Sequence, residues 1–265
     1  MRFLADYIAE FRAEASEARV HLADELQATQ AAYDIHAGAN PQAVFNLVVD
    51  RYNWLGNSET KKTYDIGQNL ARNLPGALLQ DYLIHLMIRL CEPYPSLDVF
   101  SEVKVSFGRY ALWKHGAVAY KTPSEKSDLA VGYLMENNEI KPPADPWPRQ
   151  AYLKLAANQA VQPLITVNTK IRVSQSEFFD WLGREQLMTK GNPHCMSVQV
   201  ALRKEMDYDI VEAAQATGKF FLLGSGGETT VTPDTDELLR FINTVGLHLT
   251  TRMGDPPAGV PGPPL

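Results

Sequence analysis

Leu164-Ile165-Thr166-Val167-Asn168-Thr169-Lys170-Ile171-Arg172-Val173 is the most strand-like stretch of the chain, and its reading decides the fold. β-Branched and apolar residues dominate it, and these suit a pleated, half-buried backbone. One-residue spacing inside it puts Asn168 and Lys170 on one face of a strand. A second apolar run, Leu129-Ala130-Val131-Gly132-Tyr133-Leu134, opens on Asp128. If the two runs are neighbouring strands, an acid and a lysine meet at their ends.

Upstream, Val99–Phe107 and Ala117–Tyr120 also favour strand, with a turn near Lys114-His115-Gly116. Pro75-Gly76 marks a boundary, and the apolar run Ala77–Leu90 behind it predicts a helix packed on a sheet. The first 35 or so residues read as one amphipathic helix, with Phe3, Leu4, Tyr7, Ile8 and Phe11 at helical spacing. Asn40-Pro41 ends it and caps a second helix. Ser58 is a plausible N-cap for a third over 59–73. Downstream, Tyr152–Val161 reads as a short helix, and Ser174 and Ser176 can cap another through Glu177, Phe178 and Trp181. Ser197–Ala216 reads as a long helix, showing Gln199, Arg203 and Lys204 at a polar end. Phe220–Leu223 is a short buried strand, Gly224-Ser225-Gly226-Gly227 a hairpin or connecting loop, and Thr232-Pro233-Asp234 the start of a last helix. The expectation is an α/β core behind a helical N-terminal subdomain: 1–74 helical, 75–252 the core, 253–265 a disordered Pro/Gly-rich tail.

The composition fits this. A chain of 265 residues buries a substantial core, and 45% hydrophobic with 21% charged residues is ordinary for a globular protein. No apolar stretch approaches the ~20 residues of a membrane span, and the N-terminus does not look like a signal peptide. Cys91 and Cys195 make neither a disulfide framework nor a zinc spacing, so a cytoplasmic location is expected. The net charge of −6 argues against a protein that coats nucleic acid. The charge is uneven, however. Residues 103–127 carry Lys104, Arg109, Lys114, Lys121 and Lys126 against Glu125 alone, beside Asp128.

An acid and a lysine on adjacent strands are the minimal equipment for magnesium-dependent phosphodiester hydrolysis. Mg2+ takes one or two carboxylates plus waters and substrate oxygens. A lysine beside it can orient or deprotonate the attacking water. Asp128 and Asn168 are the expected metal-binding side chains, and the Thr169 carbonyl adds an oxygen. Glu102-Val103-Lys104 is a competing Glu-x-Lys. It ranks second, because its acid Asp98 lies on the same segment, and Glu102 serves better as an auxiliary acid.

With Ser127-Asp128-Leu129-Ala130-Val131-Gly132, Val167-Asn168-Thr169-Lys170-Ile171-Arg172-Val173 and Ala201-Leu202-Arg203-Lys204-Glu205-Met206 before Phe220-Phe221-Leu222-Leu223, the chain resembles the PD-(D/E)xK nucleases. Among them it resembles type II restriction endonucleases, over roughly residues 75–225. The resemblance implies a restriction-endonuclease-like core, with a central mixed β-sheet flanked by helices. It also implies Mg2+-dependent cleavage of double-stranded DNA and a homodimer. Asp128 becomes the metal-binding acid and Lys170 the catalytic lysine. Asn168 stands where the family usually carries an acid, so Glu102, Asp81 or, less favoured, Glu177 would supplement it. Arg109, Lys114, Lys121, Arg172, Arg184 and Lys190 are the expected DNA contacts. The alternative is a DNA-binding or regulatory protein on a decayed nuclease fold, for which Asn168 is the best argument.

Overall fold

The computed structural model describes residues 2–14, 16–36, 40–107, 110–114, 117–121, 124–137, 139–141, 155–156, 159–227 and 230–255. Residues 256–265 of the expected tail lie outside them, while Met253 ends the last helix; half of the short helix expected at 152–161 lies outside them too. Residues 159–161 instead begin a strand.

The N-terminal third is helical: α1 (Arg2–Ala13), α2 (Glu17–His36), α3 (Pro41–Gly56) and α4 (Ser58–Thr63), then the long α5 (Gln68–Cys91). Two helices therefore replace the single one expected over the first 35 residues. The Ser16 carbonyl accepts from the amides of Arg19 and Val20 and starts α2 afresh. Leu22, Leu26 and Tyr33 then form a new buried stripe facing Leu4, Ile8 and Phe11 of α1. Asn40 caps α3 as expected, with its side chain accepting from the amides of Gln42 and Ala43. At α4 the cap is Asn57 rather than Ser58.

Pro75 does not interrupt the chain. Helix α5 continues through it, although an interior proline loses one backbone bond and crowds the carbonyl four residues earlier; burial of Leu74, Leu78 and Leu79 around it offsets that cost. Helices α1, α2, α3 and α5 share one apolar cluster with the sheet, so residues on both sides of the expected boundary pack into the same core.

Among the described residues ten strands follow: β1 (Asp98–Ser106), β2 (Tyr110–Lys114), β3 (Ala117–Lys121), β4 (Ser124–Glu136), β5 (Glu139–Ile140), β6 (Gln159–Ser174), β7 (Met196–Glu205), β8 (Phe220–Leu222), β9 (Gly224–Gly226) and β10 (Val231–Pro233). Helices α6 (Gln175–Gly191), α7 (Tyr208–Ala216) and α8 (Thr235–Met253) are interleaved. The six-stranded sheet has the order β5-β4-β1-β6-β7-β8, and β4 pairs with β6 as well. It is mixed: β4 runs antiparallel to β1 and β6, while β7 runs parallel to both β6 and β8. Strands β9 and β10 form the hairpin at the glycine-rich turn. No helix among the described residues is long and apolar enough to cross a membrane.

Strand β7 corrects the helix expected over 197–216. Val198, Val200 and Leu202 alternate with period two and join the main core, whereas Ala201 packs on the other side against α6 and α7. The helix proper begins only at Tyr208. The register of β4 on β6 shifts by one residue between Val131 and Gly132. Only glycine fits there, since a Cβ at Gly132 would lie 2.1 Å from the Gln162 carbonyl oxygen.

Asp81, one of the acids expected to complete a metal site, has a different place. It is fully buried in α5, and its carboxylate accepts from the amides of Phe3 (3.2 Å) and Leu4 (2.9 Å). These are orphan N–H groups of the first turn of α1, where a negative charge is favoured. Asp81→Ala is expected to cost roughly 3 kcal/mol, as bonds to a charged acceptor are lost inside the protein. Urea unfolding measures this, and Asp81→Asn, which keeps an acceptor, should lose less.

Candidate functional site

The ladder of β4 on β6 begins at Leu129–Val167, which brings Asp128 abreast of the Asn168-Thr169 step. Asp128 Oδ2 accepts from the Thr169 amide (2.8 Å) and the Thr169 hydroxyl (3.2 Å). Burial raises the Asp128 carboxyl above its ordinary value. The Thr169 bonds and the Lys170 charge oppose that shift, and the Glu102 charge adds to it.

Glu102 faces Asp128 across the ladder, bracketed by the pairs Ser101–Leu129 and Val103–Ser127. Phe100, Val103 and Val105 pack in one small core, although strict alternation would put residues 100 and 103 on opposite faces. Glu102 absorbs the difference by taking φ +55°. Such a backbone costs of order 1 kcal/mol in a residue with a side chain, and strain of this kind collects at functional sites. Gln80 of α5 ties the two acids together. Its side-chain amide donates to Glu102 Oε1 (3.3 Å) and to the Asp128 carbonyl (3.1 Å). Lys126 forms an exposed ion pair with Glu102.

Lys170 Nζ lies 3.8 Å from Glu177 Oε1, in a pair that is more than a third exposed on both sides. Glu177 also closes the capping box of α6 with Ser174. Burial pushes the Glu177 carboxyl up, but the Ser174 bonds, Lys170 and Arg172 outweigh it and hold it below its ordinary value.

These groups open into a cleft of about 930 Å³ between the sheet and the N-terminal helices. Glu102, Asp128, Thr169, Lys170, Arg172, Glu177 and Arg203 line one side, and Lys61 and Arg72 belong to the helical wall. Arg172 and Arg203 both reach Glu205 Oε1, at 3.0 and 3.1 Å. Of the expected DNA contacts, Arg172 is thus in the cleft. Arg184 and Lys190 sit on α6, and Arg184 lines a separate small cavity. Arg109 lies outside the described residues, as do the side chains of Lys114 and Lys121.

Asn168 departs from the arrangement expected of it. Lys170 lines the cleft, but Asn168 lines the small cavity under α6, so the two do not share a site. The register of β6 on β7 runs unshifted from Ile165 to Ser174, and the cleft takes in the end of β6 from both faces, so that Thr169, Lys170, Ile171 and Arg172 all border it while Asn168 falls beneath α6.

Sequence reasoning missed Gln80, Lys61 and Arg72. Gln80-Asp81 was a usable signal, as two adjacent polar residues inside an otherwise apolar helix. Among the described residues no group of three or more His, Cys, Asp or Glu side chains is placed to hold a metal ion. The donor set is the pair Asp128 and Glu102. That is compatible with Mg2+, which needs only one or two protein carboxylates. The raised Asp128 and its mutual repulsion with Glu102 are what a cation between them would relieve.

No family model matches the chain, and no curated protein matches it. Among solved structures, a chain of the native BbvCI A2B2 tetramer is similar, with a TM-score of 0.60 at 11% identity. The match covers 96% of this chain and 98% of that one. The likeness establishes the fold: a six-stranded mixed sheet flanked by helices, restriction-endonuclease-like, with helices in front.

Proposed function

We propose that this protein is a type II restriction endonuclease that hydrolyses phosphodiester bonds of double-stranded DNA with Mg2+. One observation carries the reading. Asp128 is half-buried, its carboxyl is raised, and Glu102 faces it with Lys170 beside it, in a cleft that also holds Lys61, Arg72, Arg172 and Arg203. BbvCI, a restriction enzyme of the same fold, supports it.

Bound Mg2+ would neutralise charge on the phosphoryl oxygens and leaving group. Asp128 and Glu102 would hold it, and the Thr169 carbonyl would add an oxygen. Lys170 orients the attacking water, takes up its proton or offsets the developing charge. Thr169 keeps the Asp128 carboxylate turned into the site through its amide and hydroxyl. Arg172, Arg203, Lys61 and Arg72 attract the phosphate backbone, which positions DNA without reading its sequence. A symmetric double-strand cut calls for two such sites, hence a homodimer. BbvCI is itself an A2B2 tetramer.

The second reading is a DNA-binding or regulatory protein on a decayed nuclease fold. The Lys170–Glu177 pair and the turned-away Asn168 favour it. Supercoiled plasmid incubated with the protein in Mg2+ or in EDTA separates the two. The nuclease reading expects discrete linear products in Mg2+ alone. A gel shift with the plasmid left intact supports the second reading.

A further inference from the structure

Asn168 lies in the strand motif, yet the cleft does not use it. Its Oδ1 is buried, with no hydrogen-bond partner among the described residues. It borders a cavity of about 30 Å³ together with Trp181, Ser127 and Ser197. Trp181 of α6 is only 4% exposed, and its Nε1 likewise has no partner among the described residues. An indole N–H can only donate, and an amide oxygen can only accept. A buried site that holds water needs roughly 10–15 Å³ and polar partners, and this cavity supplies both. Gln199, abreast of Asn168 on β7 and fully buried, extends the polar layer.

We propose that this cavity is a structural water site, in which one water accepts from Trp181 Nε1–H and donates to Asn168 Oδ1. Asn168 is then a positioning residue and not a metal ligand. The bridge fastens β6 to α6 one residue before Thr169, which holds Asp128, and two before Lys170. The same helix carries Glu177, the ion-pair partner of Lys170. A strand pinned to α6 at both points presents Lys170 at a fixed height in the cleft. The positioning role rests on the nuclease reading; the water site does not.

The test uses the full chain and two readouts. The first is the Trp181 indole N–H in a nitrogen-15 NMR spectrum, assigned by its loss in Trp181→Phe. The wild type should show a cross-peak from this proton to a long-lived water, and Asn168→Val should abolish it. The second is the Mg2+ dependence of plasmid cleavage. Asn168→Val and Trp181→Phe should both lower kcat by about tenfold or more, with half-saturating Mg2+ unchanged within about twofold. Asn168→Asp should also leave half-saturating Mg2+ within about twofold. A shift of about tenfold or more in either Asn168 variant is what a ligand would give, and it would overturn the proposal. Absence of the water cross-peak in the wild type would overturn it as well. If the wild type cleaves nothing, the nuclease reading fails while the indole signal still decides the water site. Trp181→Phe removes the donor from the opposite side, so the question survives if Asn168→Val does not fold.

Discussion

Lys170→Ala is expected to lower the rate of the proposed DNA cleavage by about 10³-fold. Its ammonium acts on both Asp128 and Glu177. The side chain is 38% exposed, so truncation removes little packing and the protein should fold normally. Lys61, Arg72, Arg172 and Arg203 remain, so DNA affinity should change by no more than about threefold. Plasmid cleavage and gel-shift titrations read the two quantities separately. Full activity in the variant would remove Lys170 from the site.

Asp128→Asn has two expected effects of opposite sign. Cleavage is lost, because the central carboxylate charge that would hold Mg2+ is gone. Stability at neutral pH rises, for a reason specific to this position. The folded protein raises the Asp128 carboxyl, chiefly by burial. A raised acid contributes stability that is fully present below its unfolded pKa and is lost as pH rises through the folded pKa. The ionised Asp128 of the wild type therefore weighs against folding at pH 7. Asparagine keeps an oxygen for the Thr169 amide and hydroxyl and removes the half-buried charge. Thermal unfolding should show the variant more stable at neutral pH, with the gap closing as pH falls through the carboxylate range near ~4. Mg2+ should raise the melting temperature of the wild type more than that of the variant. A variant less stable than wild type at pH 7 would mean that Asp128 is stabilised by its partners rather than strained by burial.

The sequence made parts of this arrangement legible for physical reasons. Strands β4 and β6 announce themselves through β-branched residues, and the long apolar α5 can only be buried. Their pairing then follows once Asp128 and the Asn168-Thr169-Lys170 triplet are taken as strand ends. The errors have causes as definite. Strand β7 carries Ala201, Leu202 and Lys204, good helix formers, and the two-residue period of Val198, Val200 and Leu202 was outweighed by them. Asp81 and Glu102 look alike as acids near strands. Only the tertiary structure sends one to the amides of α1 and turns the other, through a left-handed backbone, toward Asp128. Asn168 was misplaced because a shared strand face does not decide which cavity a side chain reaches: the cleft takes in β6 from Thr169 onward, and Asn168 falls beneath α6. The cations of the helical wall, Lys61 and Arg72, could not be connected to the site from sequence, because about a hundred residues separate them from Lys170.

Whether the cleft at Asp128 and Lys170 cuts double-stranded DNA at defined sequences is read by digesting a long DNA of known sequence with the purified protein in Mg2+ and sequencing the fragment ends. The expected result is a reproducible set of ends sharing one short sequence, absent in EDTA and absent with Lys170→Ala. Intact DNA in Mg2+, or identical ends from the wild type and Lys170→Ala, would overturn the nuclease reading.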